Sequence, residues 1–271
     1  MNKILRIGLV FLLPLALFAY EDYDMDGVDD AIDKCPNSLI TDLVDINGCT
    51  TKELVSPHHY DIVLGLSYSQ LDEVTAVTDT ITQNVQFDYY YKSFSFQVST
   101  SYYYSKSGSF STNGLNDTFI AAYYELKPLQ DLSVRLGAGI ALPTYETNLD
   151  NNNMDYVTSA DISYALKTMN IFGGYSFTLM NDDDIDTLAI KYQNVNSFYG
   201  GLGFYPSSKL YVSASYSSSD SVYDGGQTIQ SASVYSYYAI DENWFSSFNY
   251  GYGLSDSASD YSASVRVGYY F

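Results

Sequence analysis

Residues 261–271 read YSASVRVGYYF, and their alternation decides the fold class. Successive side chains of a β-strand point to opposite faces, so a period of two predicts a strand. The same period recurs back to His58, for example in residues 94–99, 132–142 and 210–217. The chain from His58 onward is therefore predicted to be all-β, with one apolar and one polar face on each strand. In the final strand the apolar face holds Tyr261, Ala263, Val265, Val267, Tyr269 and Phe271.

Twelve strands can be read in this region, joined by connections that alternate in length. Short turns are predicted at residues 92–93, 127–130, 168, 205–208 and 240–243, and longer polar loops at 71–80, 106–116, 143–156, 181–193, 220–227 and 255–259. Thr187–Tyr192 is a further strand candidate, so fourteen is the alternative count. The twelve predicted strands are 59–70, 81–92, 93–105, 117–127, 131–142, 157–167, 169–180, 194–206, 208–219, 228–239, 243–254 and 260–271.

The content of the two faces favours a transmembrane barrel over a soluble sandwich. The predicted strands have the length that crosses a bilayer at a tilt, whereas soluble strands are usually about five or six residues. The polar face is rich in Ser, Gly, Tyr, Gln and Asn and poor in charge, and aromatic residues concentrate near the strand ends. A soluble secreted β-domain is the alternative.

A final strand that alternates in this way and ends in Phe271 resembles the terminal signal of bacterial outer-membrane barrels. The resemblance implies an antiparallel transmembrane β-barrel over residues 57–271 in the Gram-negative outer membrane. It also implies contact with outer-membrane lipid and lipopolysaccharide, and recognition of the C-terminal strand by the barrel-assembly machinery.

Composition excludes several classes of function. The chain has 32 acidic and 12 basic residues, a net charge of −20, which argues against nucleic acid as a partner. His58 and His59 are the only histidines, and no nucleophile, base and orienting carboxylate can be singled out around them. We therefore expect a protein that is not an enzyme.

Residues 1–19 have the features of a secretory signal peptide. Lys3 and Arg6 supply the positive charge, and Ile7–Phe18 is shorter than the roughly 20 residues that a membrane-spanning helix needs. Ala19 is a suitable cleavage position. A retained membrane anchor is the alternative.

Residues 22–33, DYDMDGVDDAID, predict a calcium loop. Alternating carboxylates, a glycine at position six and an acid at position twelve supply the hard oxygen ligands that Ca²⁺ prefers over the compact octahedron of Mg²⁺. An acidic solvated linker is the alternative. The predicted ligands are the side chains of Asp22, Asp24, Asp26 and Asp33 and the carbonyl of Val28, with Asp30 as a further candidate.

The calcium loop is followed by Cys35-Pro36 and by VDINGC at residues 44–49, and together these resemble a thrombospondin type 3 repeat. The resemblance covers about residues 22–49, implies the same ligands and adds Asp45 as a candidate. Export would expose the only two cysteines, Cys35 and Cys49, to an oxidising compartment, so we expect them to pair. Residues 20–52 would thus form a small loop-rich module that depends on its ion and its disulfide.

The charged side chains on the polar face should point into the barrel if the apolar face meets lipid. Glu125 and Arg135 lie on neighbouring strands, either as a structural wall pair or as a pore constriction. The acidic loops, densest at residues 182–186, would either concentrate cations or bind cations that bridge to lipopolysaccharide. The predicted inward charges are Asp61, Asp88, Glu125, Arg135, Asp161 and Arg266.

A repeat of this kind beside a barrel resembles the outer-membrane protein A superfamily, although no sequence remains for that family's peptidoglycan-binding domain. The first functional hypothesis is a porin-like channel for small solutes, cation-preferring, with a periplasmic calcium-binding module. The alternative is a non-conducting structural or cell-adhesion protein with calcium-dependent contacts.

Overall fold

The computed structural model describes residues 28, 33–35, 44, 47, 49, 57–72, 76–145 and 152–271. The chain divides into two compact units, residues 1–51 and 52–271. The predicted signal peptide lies outside the described residues. The second unit contains β1 (His58–Asp72), β2 (Val77–Tyr91), β3 (Phe94–Ser107), β4 (Phe110–Leu115), β5 (Thr118–Leu129), β6 (Leu132–Leu142), β7 (Asp155–Leu166), β8 (Met169–Leu179), β9 (Val195–Ser207), β10 (Leu210–Ser219), β11 (Ile229–Ala239), β12 (Trp244–Gly253) and β13 (Tyr261–Tyr270).

The strands form one closed antiparallel barrel with twelve strand positions and one extra short strand. Each strand pairs with its neighbours along the chain, and β13 closes the barrel by pairing with β1 from Asp61↔Tyr270 to Gln70↔Tyr261. β4 and β5 share one position, because both pair with β3. The predicted twelve-stranded transmembrane barrel is confirmed.

The alternative count of fourteen strands is wrong. The stretch Thr187–Tyr192 contains part of a single 3₁₀ turn, Asp186–Leu188, and only isolated bridges join Ile185 to Ile190 and Tyr192 to Tyr223. A hydrogen-bonded ladder is missing here, so these residues belong to the connection between β8 and β9.

The predicted loop over residues 106–116 is also wrong, because the hairpin of β3 continues through it. Its turn lies at Gly108, which adopts a positive φ of 59°. Asn116 interrupts the returning strand, donating its backbone N–H to the carbonyl of Ser101 at 2.8 Å. Most of β4 is exposed on both faces, including Phe110 at 81%, so its sequence carries no period of two.

The apolar faces of the strands point outward. On β1, Ile62, Leu64 and Leu66 are 43%, 58% and 54% exposed, whereas the intervening Val63 is 5% exposed. A soluble sandwich would bury these apolar residues, but a membrane barrel presents them to lipid. No helix in the described part of the chain is long and apolar enough to cross a membrane.

The two ends of the barrel differ. One end, which we name the turn end, carries the short connections after β2, β5, β7, β9 and β11 together with the start of β1 and the end of β13. The other, the loop end, carries the longer connections, such as residues 143–154 and 180–194. At the turn end Tyr60 and Phe271 close the seam: each donates its backbone N–H to the other's carbonyl, at 2.8 and 2.9 Å, and their rings stack.

Gly201 lies on the inner wall where neighbouring strands approach closely. A Cβ atom there would meet the backbone oxygen of Ala214 at 2.4 Å and the ring of Phe172 at 2.6 Å. At the adjacent Gly200, on the outer face, the nearest atom would lie at 3.6 Å, an ordinary contact. We expect Gly201→Ala to lower the free energy of unfolding by about 1–3 kcal/mol and Gly200→Ala to leave it nearly unchanged. Chemical unfolding in lipid vesicles measures both, and equal effects would contradict the close approach.

Candidate functional site

The N-terminal unit contains the predicted disulfide. Cys35 and Cys49 are bonded, which confirms the expected pairing. The bonded region is held further by Lys34, which donates its backbone N–H to the carbonyl of Asn47 and its Nζ to the Asn47 side chain, both at 2.8 Å. The disulfide therefore fixes the chain beside Asp33, the predicted closing ligand of the calcium loop.

Asp33 has one carboxylate oxygen with a hydrogen-bond partner and one without. Its Oδ1 accepts a hydrogen bond from the Cys35 N–H at 2.7 Å, while its Oδ2 is buried without a hydrogen-bond partner. Buried carboxylate oxygens normally have partners, and a cation is one such partner. Val28, the predicted carbonyl ligand, is also among the described residues. No group of three or more His, Cys, Asp or Glu side chains that could hold a metal ion is found among the described residues. The other predicted ligands, Asp22, Asp24, Asp26, Asp30 and Asp45, lie outside the described residues.

In the barrel, all six predicted inward charges lie on the inner wall, and they form two groups. In the first group Glu125, Arg135 and Asp161 are in register across β5, β6 and β7. Glu125 accepts a hydrogen bond from Ser133 at 2.7 Å. The guanidinium of Arg135 lies 3.7 Å from the ring centre of Tyr123, a cation–π contact. Glu125 and Arg135 are thus direct cross-strand neighbours, each with a further partner.

Asp161 on β7 accepts a hydrogen bond from a strand that is not its neighbour. The hydroxyl of Tyr199 on β9 donates to its carboxylate at 2.7 Å, passing over the intervening strand β8 at Gly174. A Cβ at Gly174 would meet both of these side chains within 2.5 Å. The missing side chain therefore makes room for a contact between strands that are not neighbours.

The second group lies where the barrel closes. Asp61 and Asp88 are opposite each other on β1 and β2. The side-chain amide of Gln86 donates to the carboxylate of Asp88 at 2.6 Å. The guanidinium of Arg266 on β13 donates to the side-chain amide oxygen, Oε1, of Gln86. Gln86 thus connects Asp88 on β2 to Arg266 on β13. We name the six charged residues on β13, β1, β2, β5, β6 and β7 the ionic arc.

The inner wall of the remaining strands has a different character, which the sequence analysis missed. The strands β8 to β12 contain no Asp, Glu, Lys, Arg or His. Near their turn ends the inner positions instead hold rings in contact: the ring centres of Tyr205 and Tyr211 are 4.9 Å apart, and those of Tyr237 and Phe245 are 5.4 Å apart. Tyr235 packs against Tyr211 at 6.3 Å. We name these five side chains the aromatic arc. Their signal was a large aromatic residue at an inner position in the turn-end half of four consecutive strands, β9 to β12.

Toward the loop end, the wall of β9 to β11 is lined by small hydroxyl side chains. Ser197 with Ser219, Ser217 with Ser231, and Ser215 with Ser233 form cross-strand hydrogen bonds of 2.7 to 2.9 Å. On the side where the barrel closes, a cavity of about 330 Å³ is lined by polar residues that include Ser67, Asn84, Ser264 and Arg266.

The interior of the barrel is not a packed core. Among the described residues no large side chain is fully buried, and the buried apolar residues are Val63, Ala121, Val195 and Ala258. A soluble domain of this size would bury many more, because close packing fills its interior. The polar inner wall therefore encloses a lumen without a packed apolar core, and one of its charged side chains, Asp88, is only 5% exposed.

At the loop end, acidic side chains hold the loops together. Asp182 accepts a hydrogen bond from the N–H of Asn153 at 2.8 Å, yet burial and the nearby carboxylates of Asp117 and Asp183 raise the pKa of Asp182. Asp220 receives hydrogen bonds from both the side chain and the backbone of Asn196, which lower its pKa. The loops thus present negative charge around this mouth.

Both histidines are at the turn end and contact tyrosine rings. The Nδ1 of His58 lies 2.6 Å from the hydroxyl of Tyr89, and the ring of His59 stacks on Tyr270. His58 thus lies on the outer face of the wall, whereas His59 and Tyr270 lie on the inner face with Asp61.

Comparison with known proteins identifies relatives in structure alone. No family model matches the chain, and no curated protein matches it. An outer membrane channel from Pseudomonas putida F1 superposes with a TM-score of 0.68 at 9% identity, over 82% of this chain and all of the other. The fold is that of an outer-membrane β-barrel. The NanC porin (TM-score 0.51, 13% identity, 78% of this chain and 98% of the porin) and the KdgM porin (0.50, 12%, 78% and 99%) share it.

Proposed function

We propose that this protein is a channel for small polar solutes in the outer membrane. The observation that carries the proposal is the interior of the barrel, which has a polar, partly charged wall and no packed core among the described residues. Structures named as channels and porins share the fold, which supports the proposed channel function. In such barrels the short turns are periplasmic and the longer loops extracellular. The turn end, with the N-terminal module that precedes β1, is accordingly assigned to the periplasm.

The charge of the wall favours cations. The ionic arc contains four carboxylates, Asp61, Asp88, Glu125 and Asp161, against the two guanidinium groups of Arg135 and Arg266, a net charge of −2. The acidic loops add negative potential at the opposite mouth. Because low-dielectric walls focus such fields, cations should be enriched in the lumen over anions.

Single-channel recording of the purified protein in a planar bilayer tests the proposal. We expect steady openings, and a reversal potential in a salt gradient that indicates preference for K⁺ over Cl⁻. The double variant Asp61→Asn with Asp88→Asn should fold as the unchanged protein does and show a smaller preference for K⁺, because two of the four inward carboxylates are neutralised. Ser67→Asn on the same wall is the uncharged control. Silence from protein shown to be folded and inserted would contradict the channel and favour the non-conducting adhesive alternative.

We also propose that the N-terminal module binds one Ca²⁺ ion through Asp22, Asp24, Asp26, Val28 and Asp33, with Asp30 and Asp45 as further candidates. The buried, unpartnered Oδ2 of Asp33 and the adjoining disulfide support this proposal. When bound, Ca²⁺ would cross-link the acidic loop, which has little core of its own.

Two further contacts belong to the proposed location. The exposed apolar outer face would contact outer-membrane lipid, and cations bound by the acidic loops would bridge to lipopolysaccharide. The C-terminal strand ending in Phe271 would be the segment that the barrel-assembly machinery recognises.

A further inference from the structure

We propose that the ionic arc and the aromatic arc together form a binding constriction for uncharged ring sugars. This inference rests on the proposed channel function and names the solute class of the same lumen. It is carried by the placement of two chemically different surfaces in the same half of the barrel, on different parts of its inner wall.

Both arcs lie in the half of the barrel toward the turn end. Asp61 is the fourth residue of β1, and Asp88 is the fourth from the end of β2. Tyr211 and Phe245 are the second residues of β10 and β12. The inner wall toward the loop end carries mainly Ser, Thr and Gly on these strands. On these strands the long inner side chains lie toward the turn end and the small ones toward the loop end, so we expect this part of the wall to narrow the lumen near the turn end.

The middle of the ionic arc lies across the lumen from the aromatic arc, whereas Arg266 on β13 pairs with β12 and adjoins the aromatic arc. The strands β8 to β12 occupy five consecutive positions of the twelve, and the ionic arc lies on the strands that complete the circle. In a closed barrel the middle of one arc is opposite the other. A solute that passes the constriction therefore meets the rings of the aromatic arc on one side and, on the other, charged groups together with the ring of Tyr123 that contacts Arg135.

A pyranose ring matches this pair of surfaces. Its C–H face is apolar and stacks on aromatic rings, while its rim of hydroxyl groups both donates and accepts hydrogen bonds. The acceptors are the carboxylates of Asp61 and Asp88, and the donors are the guanidinium groups of Arg135 and Arg266. Hydrogen bonds within the wall already hold several of these groups, for example Arg266 to Gln86 and Gln86 to Asp88, so little ordering is needed on binding.

The charge pattern argues against the other ligand classes. A net charge of −2 opposes anions, and the two guanidinium groups interspersed with the carboxylates weaken the attraction for an organic cation. A neutral molecule with many hydroxyl groups uses both signs of charge, because each hydroxyl serves as donor and acceptor.

Channel block by maltose tests the inference. In a planar bilayer, millimolar maltose should reduce the K⁺ current in a saturable manner. Tyr211→Ser with Tyr235→Ser should raise the half-blocking concentration of maltose about tenfold, because ring stacking is lost. The current without sugar should stay equal or rise, because the lumen widens. Tyr211→Phe with Tyr235→Phe keeps the rings and should retain most of the block. Tyr216→Ser, on the outer face of β10, is the matched control and should behave as the unchanged protein.

The possible failures are distinguishable. If folded, inserted protein gives no openings, the channel proposal itself fails. Openings that maltose leaves unchanged overturn the sugar site alone, and so does block that survives Tyr211→Ser with Tyr235→Ser. Block by choline in place of maltose would overturn it in favour of an organic-cation site. The phenylalanine variant keeps the test valid should the serine variant fail to fold.

Discussion

Leu64→Arg is expected to lower the free energy of unfolding of the barrel by about 2–4 kcal/mol, or to prevent its insertion. Leu64 is 58% exposed, between Ile62 and Leu66 on the outer face of β1, near the middle of the apolar stretch of that strand. The charge of the arginine would be transferred from water into the hydrocarbon of the membrane, while the inner face of the strand remains unchanged.

Ser67→Arg is the matched control, because it adds the same side chain to the inner wall of the same strand. There the guanidinium stays in the polar lumen, so we expect a change of less than about 1 kcal/mol. Unfolding in lipid vesicles, followed by tyrosine and tryptophan fluorescence, measures both variants. Equal tolerance of the two substitutions would contradict the assignment of the outer face to lipid.

Asp33→Asn is expected to weaken binding of Ca²⁺ to the full chain about tenfold or more. The substitution removes the charge of the ligand at loop position twelve, and affinity in such loops follows the number of charged ligands. The carboxamide keeps an oxygen that can accept the Cys35 N–H, so loss of that hydrogen bond does not confuse the result.

Calcium titration by calorimetry on the refolded protein, after treatment with a chelator, gives the measurement. Asp256→Asn, an exposed acid in the connection between β12 and β13, removes the same charge outside the module and should leave the affinity unchanged. A titration of Asp33→Asn that matches the unchanged protein would contradict the proposed ligand set.

The barrel was predictable because its signal is local. Each strand carries its own period of two, and the last strand, YSASVRVGYYF, assigns the apolar face without reference to any other strand. The same alternation placed Asp61, Asp88, Glu125, Arg135, Asp161 and Arg266 on the polar face, where the structure has them.

The predictions failed where alternation is absent. Residues 110–115, FSTNGL, form a strand that is exposed on both faces, so no burial pattern marks it, and they were predicted as loop. Residues 187–192 contain enough apolar side chains to suggest a strand, but they are exposed or partly exposed and bridge only locally.

The sequence by itself determined that strands form, that one face is apolar and that six charges share the polar face, because the two-residue period is a property of each strand alone. The tertiary structure decided which side chains meet: Arg266 reaches Gln86, Tyr199 reaches Asp161, and the rings from Tyr205 to Phe245 come together. These pairs are brought together by strand register and by closure of β13 on β1. Closure joins residues that are far apart in the chain, so no single stretch of sequence encodes the contacts that it creates.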